Sequence, residues 1–250
     1  MVSRVLAFAN QKGGVGKTTT AVNLAACLAD AGERALVIDL DPQANATSGL
    51  GMKANGTSSY DLLDGASVEE LARPTAFPNL FLIPSKPELA GAAVELAQRS
   101  DGEGFLAESL AVASGFDFVL LDCPPSLGPL TVNALAAADR VVVPVQAEYY
   151  ALEGLAQLMQ SITLIKSRLN ARLAVAGVLI TMSDGRTNLA ADVEHEVRRH
   201  FGNLVFDTVV PRSVRIAEAP SHGLPITHYD RRSSGAEAYW KVAMELVERC

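Results

Sequence analysis

The sequence predicts one α/β domain built on a doubly wound, mostly parallel β-sheet flanked by helices, and three observations carry that prediction. Short β-branched or apolar runs alternate with longer segments of helical period along the 250 residues, the order expected of successive βαβ units. Runs such as VLLD (119–122) and VVVPV (141–145) lack polar alternation, as strands covered on both faces do. A glycine-rich loop directly follows the first apolar run and opens an alanine-rich helical segment, a context that makes a phosphate-binding motif meaningful.

Taken in order, strands are expected at 5–9, 35–39, 80–83, 118–122, 141–145, 175–181 and 205–210. Helices are expected to begin near Lys17, Glu88, Glu103, Pro129, Leu152, Leu189 and Ser234. The turn-rich stretch 49–65 reads as a surface excursion after the second strand, so residues 1–250 form a single domain. The last helix should bury a stripe of Tyr239, Val242, Ala243, Leu246 and Val247.

Composition excludes several classes. At 49% apolar and 20% charged, the chain is no disordered tail. Its net charge of −7 is uneven, −9 over residues 1–159 and +2 over 160–250, so any nucleic-acid contact should be local to the last third. Cys27, Cys123 and Cys250 are odd in number and far apart, which fits a reducing cytoplasm better than a disulfide framework. No apolar run reaches the ~18 residues of a membrane helix, and the first apolar stretch is too short for a signal peptide.

The loop reads QKGGVGKTT at 11–19. Gly13, Gly14 and Gly16 admit backbone angles closed to other residues, so successive amides of residues 13–19, Val15 and Thr19 included, can converge on phosphate oxygens at a helix N-terminus. Lys17 is then placed for the β- and γ-phosphates and the Thr18 hydroxyl for Mg²⁺. Asp39 and Asp41 end the second strand on one side, where a parallel sheet binds ligands. Asp122 ends the buried run before Cys123-Pro-Pro, as a Walker B carboxylate does. Neither Asp39 nor Asp41 has a histidine nearby in sequence, so water orientation and metal support are expected rather than covalent chemistry.

A second lysine, Lys12, precedes the glycines. On these residues the chain resembles the deviant Walker A ATPases, a group of P-loop NTPases that includes ParA/Soj partition proteins, MinD, the nitrogenase iron protein and ArsA. The resemblance implies ATP and Mg²⁺ as ligands, hydrolysis as the activity, and a homodimer that sandwiches nucleotide, in which Lys12 contacts the partner's phosphates much as an arginine finger does. It further implies that Asp41 positions the attacking water, that Asp39 lies near the metal, and that Cys123 begins a switch segment.

Within that group the iron–sulfur members need bridging cysteines this chain lacks, ArsA-like pumps usually duplicate the domain, and MinD needs a basic amphipathic tail. The segments DLDPQANATSG (39–49), PPSL (124–127), VPVQAEYYALEG (143–154), DGRTN (184–188) and PRSVRIAEAPS (211–221) instead look like the short chromosomal Soj type. Only a few residues precede the first expected strand, so an N-terminal helix-turn-helix domain is not expected. By that resemblance Arg186 and Arg215 contact DNA without sequence preference, Pro211 and Arg212 belong to an adenine-side loop with Met182 opposite, and a ParB/Spo0J-type partner triggers hydrolysis. The implied role is chromosome or plasmid segregation by a cytoplasmic, nucleoid-associated ATPase that does not bind membrane. A MinD-like membrane-cycling regulator and an ATPase positioning another cargo are the alternatives.

Overall fold

The computed structural model describes residues 3–99, 102–148 and 151–250. Seven strands form one sheet: β1 (Arg4–Phe8), β2 (Ala35–Asp39), β3 (Arg73–Pro74), β4 (Leu80–Ile83), β5 (Phe118–Asp122), β6 (Arg140–Gln146) and β7 (Ala174–Thr181). Their spatial order is β3-β4-β2-β5-β1-β6-β7. All pairings are parallel except β3 with β4. The chain steps outward on one side from β1 to β2 and across the sheet from β5 to β6. The loops at the carboxyl ends of β1, β5 and β2 therefore open into the crevice where such folds bind ligands.

The helices are α1 (Lys17–Asp30), α2 (Asn45–Gly49), α3 (Ser59–Leu63), α4 (Val68–Leu71), α5 (Leu89–Gln98), α6 (Phe105–Ala111), α7 (Pro129–Ala137), α8 (Ala151–Arg168), α9 (Asn188–Phe201), α10 (Val214–Glu218), α11 (Ile226–Tyr229) and α12 (Ser234–Arg249). The period-2 geometry of the strands divides the core into two layers. Leu6, Phe8, Val37, Leu120 and Val142 pack under α1 and α12, whereas Val5, Ala7, Ile38, Leu121 and Val143 pack against helices α5 to α9 on the other face. No helix among the described residues is long and apolar enough to cross a membrane.

Three sequence expectations need correction. Residues 205–210 are not a strand. Phe206 and Val210 donate to β7 carbonyls (3.0 and 2.9 Å), but the amides of Asp207 and Thr208 between them are captured by the Glu245 carboxylate (2.8 and 2.9 Å). A side-chain acceptor thus interrupts the ladder, leaving isolated bridges such as Val178 with Val205. The stretch 49–65 is partly helical, because Ser58 and Asp61 form a reciprocal capping box that starts α3. Val247 is exposed, while Tyr239, Val242, Ala243 and Leu246 of the expected stripe are buried.

Candidate nucleotide site

The loop between β1 and α1 is held from both sides. Asn10 donates to the Pro144 carbonyl (2.7 Å) and accepts the Lys12 amide (3.0 Å), fixing where the loop leaves the sheet. The Thr181 hydroxyl at the end of β7 donates to the Val15 carbonyl (2.8 Å). Gly16 caps α1 at φ 88°, a left-handed angle that disfavours a side chain. The loop therefore presents the first turn of α1 to a cavity of about 440 Å³, lined by Gly13, Gly14, Gly16, Lys17, Thr18 and Thr19, a size suited to a small ligand.

Lys17 is nearly buried, and its ammonium donates to the Lys12 carbonyl (3.2 Å). Burial pulls its pKa down, while Asp122 opposes the shift. Asp122 is fully buried, and neither carboxylate oxygen has a hydrogen-bond partner. Burial, then the Asp39 charge paired beside it in register, holds the Asp122 pKa well above the usual carboxylate range; Thr18 and Lys17 favour the charged form and are outweighed. An orphaned carboxylate facing a threonine hydroxyl and a lysine is the arrangement a hard divalent cation would satisfy. Among the described residues no three His, Cys, Asp or Glu side chains gather into a metal cage. Mg²⁺ takes one or two carboxylates and fills its remaining positions with water and phosphate, so Thr18 and Asp122 are the residues that would hold it.

Asp39 is equally buried but fully engaged. Its Oδ2 accepts the amide and hydroxyl of Thr47 (2.9 and 2.7 Å), and its Oδ1 accepts the Asp41 amide (3.1 Å). Thr47 Oγ1 in turn accepts the Ser85 amide (2.9 Å). Burial raises the Asp39 pKa to about 6 against these hydrogen bonds. Asp39 thus ties the loop 40–47 to the sheet and positions Asp41, which lines the cavity and accepts the Gln43 amide (2.9 Å). Cys123 lies fully buried in the core, with its thiol pKa pushed up by burial.

The remaining expected residues divide. Met182 lines the cavity and adopts φ 52°. Pro211 and Arg212 do not line it. They run beside Ser183, whose carbonyl accepts the Arg212 amide (2.9 Å), while that part of the wall comes from Ala219, Pro220 and Leu224. Lys12 is half exposed at the rim, where its ammonium pairs with Glu148 at 2.5 Å. Arg186 is exposed and forked onto Asp184 (2.8 and 2.7 Å), which holds the Asp184 pKa down at about 2. Arg215 on α10 pairs with Glu218 (3.3 Å) and Asp230 (3.4 Å). Sequence reasoning missed Thr47, Asn23, Gln43, Asn45, Ser48 and the 219–224 wall; Thr47 lies within the 39–49 motif, but nothing local marks its bond to Asp39.

This fold and loop define a P-loop NTPase with a second lysine ahead of its glycines. A family model described as an AAA domain matches residues 3–175. The chromosome-partitioning ATPase Soj of Thermus thermophilus is 55% identical over 246 residues, covering 98% of this chain and 96% of that protein. The sporulation initiation inhibitor protein Soj of Bacillus subtilis is 51% identical over 250 residues, covering 98% and 99%. Among solved structures, cobyrinic acid a,c-diamide synthase of Mycobacterium smegmatis with an ATP analogue and magnesium aligns with TM-score 0.86 at 37% identity, covering 99% of this chain and 95% of that one. The chain belongs to the Soj/ParA family of chromosome-partitioning ATPases.

Proposed function

We propose that this protein is a Mg²⁺-dependent ATPase of chromosome or plasmid partition that forms a nucleotide-sandwich homodimer, binds DNA without sequence preference and answers to a ParB/Spo0J-type partner. The observation that carries the reading is the pairing of an inward lysine with an outward one on a single loop. Lys17 is buried beside the orphaned Asp122, whereas Lys12 stands half exposed at the rim.

In this reading the amides of residues 13–19 and Lys17 hold the β- and γ-phosphates. Thr18 and Asp122 would hold Mg²⁺, which when bound neutralises charge that develops on the phosphates. Asp39 supports that site through its grip on the 40–47 loop, and Asp41 accepts a hydrogen bond from the attacking water and aligns it. Lys12 exchanges Glu148 for the phosphates of a second subunit, which makes hydrolysis conditional on dimerisation. Met182 packs against the base, with Pro211 and Arg212 at the outer margin. Arg186 and Arg215 contact DNA phosphates, and two subunits held together add their contacts into a useful, salt-sensitive affinity. The expected location is cytoplasmic and nucleoid-associated. Burial of the apolar face of α12 against the α1 layer supports this reading over a membrane-cycling one.

The test is retention of Asp41→Ala protein on non-specific duplex DNA with ATP, ADP or no nucleotide across a salt series. Retention only with ATP, lost at high salt and in Arg186→Ala/Arg215→Ala, is the expected result. Absence of DNA binding in every state would overturn the DNA reading, and failure of ATP to produce a dimer by light scattering would overturn the switch.

A further inference from the structure

One short segment serves two places at once. Ala219, Pro220 and Leu224 form part of the cavity wall, and Arg215 lies on α10 directly before them. The adjoining wall is made by Asn45, Ser48 and Gly49 of α2, the helix that Asp39 anchors through Thr47. The two walls meet backbone to backbone at Gly51 and Gly223. A Cβ built on Gly223 would sit 2.6 Å from Gly51 Cα, and one on Gly51 would sit 3.4 Å from the Gly223 carbonyl oxygen. No side chain of either residue separates the loops, so displacement of one is transmitted to the other.

The far end of the segment is clamped as well. Buried Asn23 of α1 accepts the Ile226 amide (2.7 Å) and donates to the Thr19 carbonyl in the first turn (2.7 Å). Beyond it, Tyr229 donates to Glu218 (3.2 Å) and Asp230 pairs with Arg215. Arg215 is thus held by both ends of a loop whose middle faces the nucleotide cavity.

We propose that Gly223, seated against Gly51, is a positioning residue that couples the occupancy of the nucleotide cavity to the placement of Arg215 within a single subunit. The inference rests on the DNA role given to Arg215 above, and it adds an intramolecular route to the gating that dimerisation supplies. Spatial continuity alone does not establish coupling, so the experiment measures coupling directly.

Full-length wild type, Gly223→Ala, Gly51→Ala, Arg215→Ala and the Gly223→Ala/Arg215→Ala double variant are compared for fluorescent ATP-analogue affinity, for mass by light scattering, and for DNA retention with ATP and ADP. Gly223→Ala is expected to keep analogue affinity within about threefold and to keep the dimer, while the ATP-to-ADP ratio of DNA affinity falls at least fivefold. Adding Arg215→Ala should then cost little more, because residues acting through one another are non-additive. Wild-type ATP dependence in folded Gly223→Ala, or fully additive losses, would overturn the proposal. Should Gly223→Ala not fold, Gly51→Ala, whose added atom lies at contact distance from the Gly223 carbonyl oxygen although φ 69° at that position strains any side chain, is held to the same outcomes.

Amide exchange at residues 214–218 separates this proposal from the DNA reading. ADP should slow exchange there in wild type and less in the glycine variant, even if Arg215→Ala leaves DNA binding unchanged, which would sink the DNA role alone. Exchange at 214–218 that ignores nucleotide in wild type would overturn the coupling.

Discussion

The floor and the rim of the nucleotide cavity carry charge in opposite ways. On the floor Asp39 and Asp122 are fully buried side by side, with Lys17 nearly buried near Asp122, and among the described residues no donor makes a full hydrogen bond to the Asp122 oxygens. At the rim and beyond it, Lys12, Arg186 and Arg215 are exposed or half exposed, and each has a carboxylate within reach in its own chain. Burying a charge without a partner costs several kcal/mol, on the order of what a small domain has to spare, whereas exposed ion pairs contribute roughly 0–1 kcal/mol. The floor therefore gains most from a bound cation. The rim can exchange its partners for phosphate at small cost.

The largest test of this contrast is Asp122→Asn. It should lower Mg²⁺-dependent hydrolysis by about 10²–10³-fold, the scale of losing one preorganised electrostatic contribution at the reacting centre. Phosphate release at saturating ATP and Mg²⁺ reads the loss, and hydrolysis at the wild-type rate would refute the role given to the floor.

A smaller effect is expected at Asp39, whose folded pKa of about 6 lies above the usual carboxylate value. A raised carboxyl pKa favours the protonated native state, so its contribution is fully present below about pH 4 and is lost as pH rises through about 6. Without nucleotide or Mg²⁺, stability attributable to Asp39 should fall by about 3 kcal/mol across that window. The difference between wild type and Asp39→Asn in urea titrations at pH 4 and 7.5 reads it together with the linked titration of Asp122, and parallel pH profiles would dismiss it.

The smallest effect belongs to the rim. Glu148→Gln should change unfolding free energy by less than ~0.5 kcal/mol, as exposed pairs do, and leave ATP-analogue affinity of the single subunit unaltered. A loss above ~2 kcal/mol in thermal or urea unfolding would make the rim as structural as the floor and erase the distinction.

The sequence displayed the floor better than the walls. Lys17 and Thr18 open α1, Asp39 and Asp122 end β2 and β5, and Asp41 follows β2 by two residues, positions where local pattern and motif spacing coincide. What stayed hidden depends on residues distant in the chain. The 205–210 run has the composition of a strand, yet Glu245, some 37 residues later, takes two of its amides. The 219–224 wall is set against α1 through the Asn23–Ile226 bond, 203 residues apart in sequence. The expected adenine-side residues missed the cavity wall by only a few positions, because the turn after Pro211 carries the chain along Ser183 before α10 brings it back. Short helices such as α3 were legible in principle from the capping box at Ser58, but the glycines around it suggested turns.

The two margins of the sheet have a consequence for how copies of this protein can meet. At one margin β3 is two residues long and ends in Pro74, which has no amide to donate, while Arg73 gathers the Asn55 and Thr57 carbonyls across that side. At the other, Glu245 occupies the amides that a neighbouring strand would seek. Neither margin offers a long run of free backbone groups to template another chain. Copies that collide in a crowded solution find no continuous ladder to extend, and their association falls to side chains and ligands, which can be withdrawn.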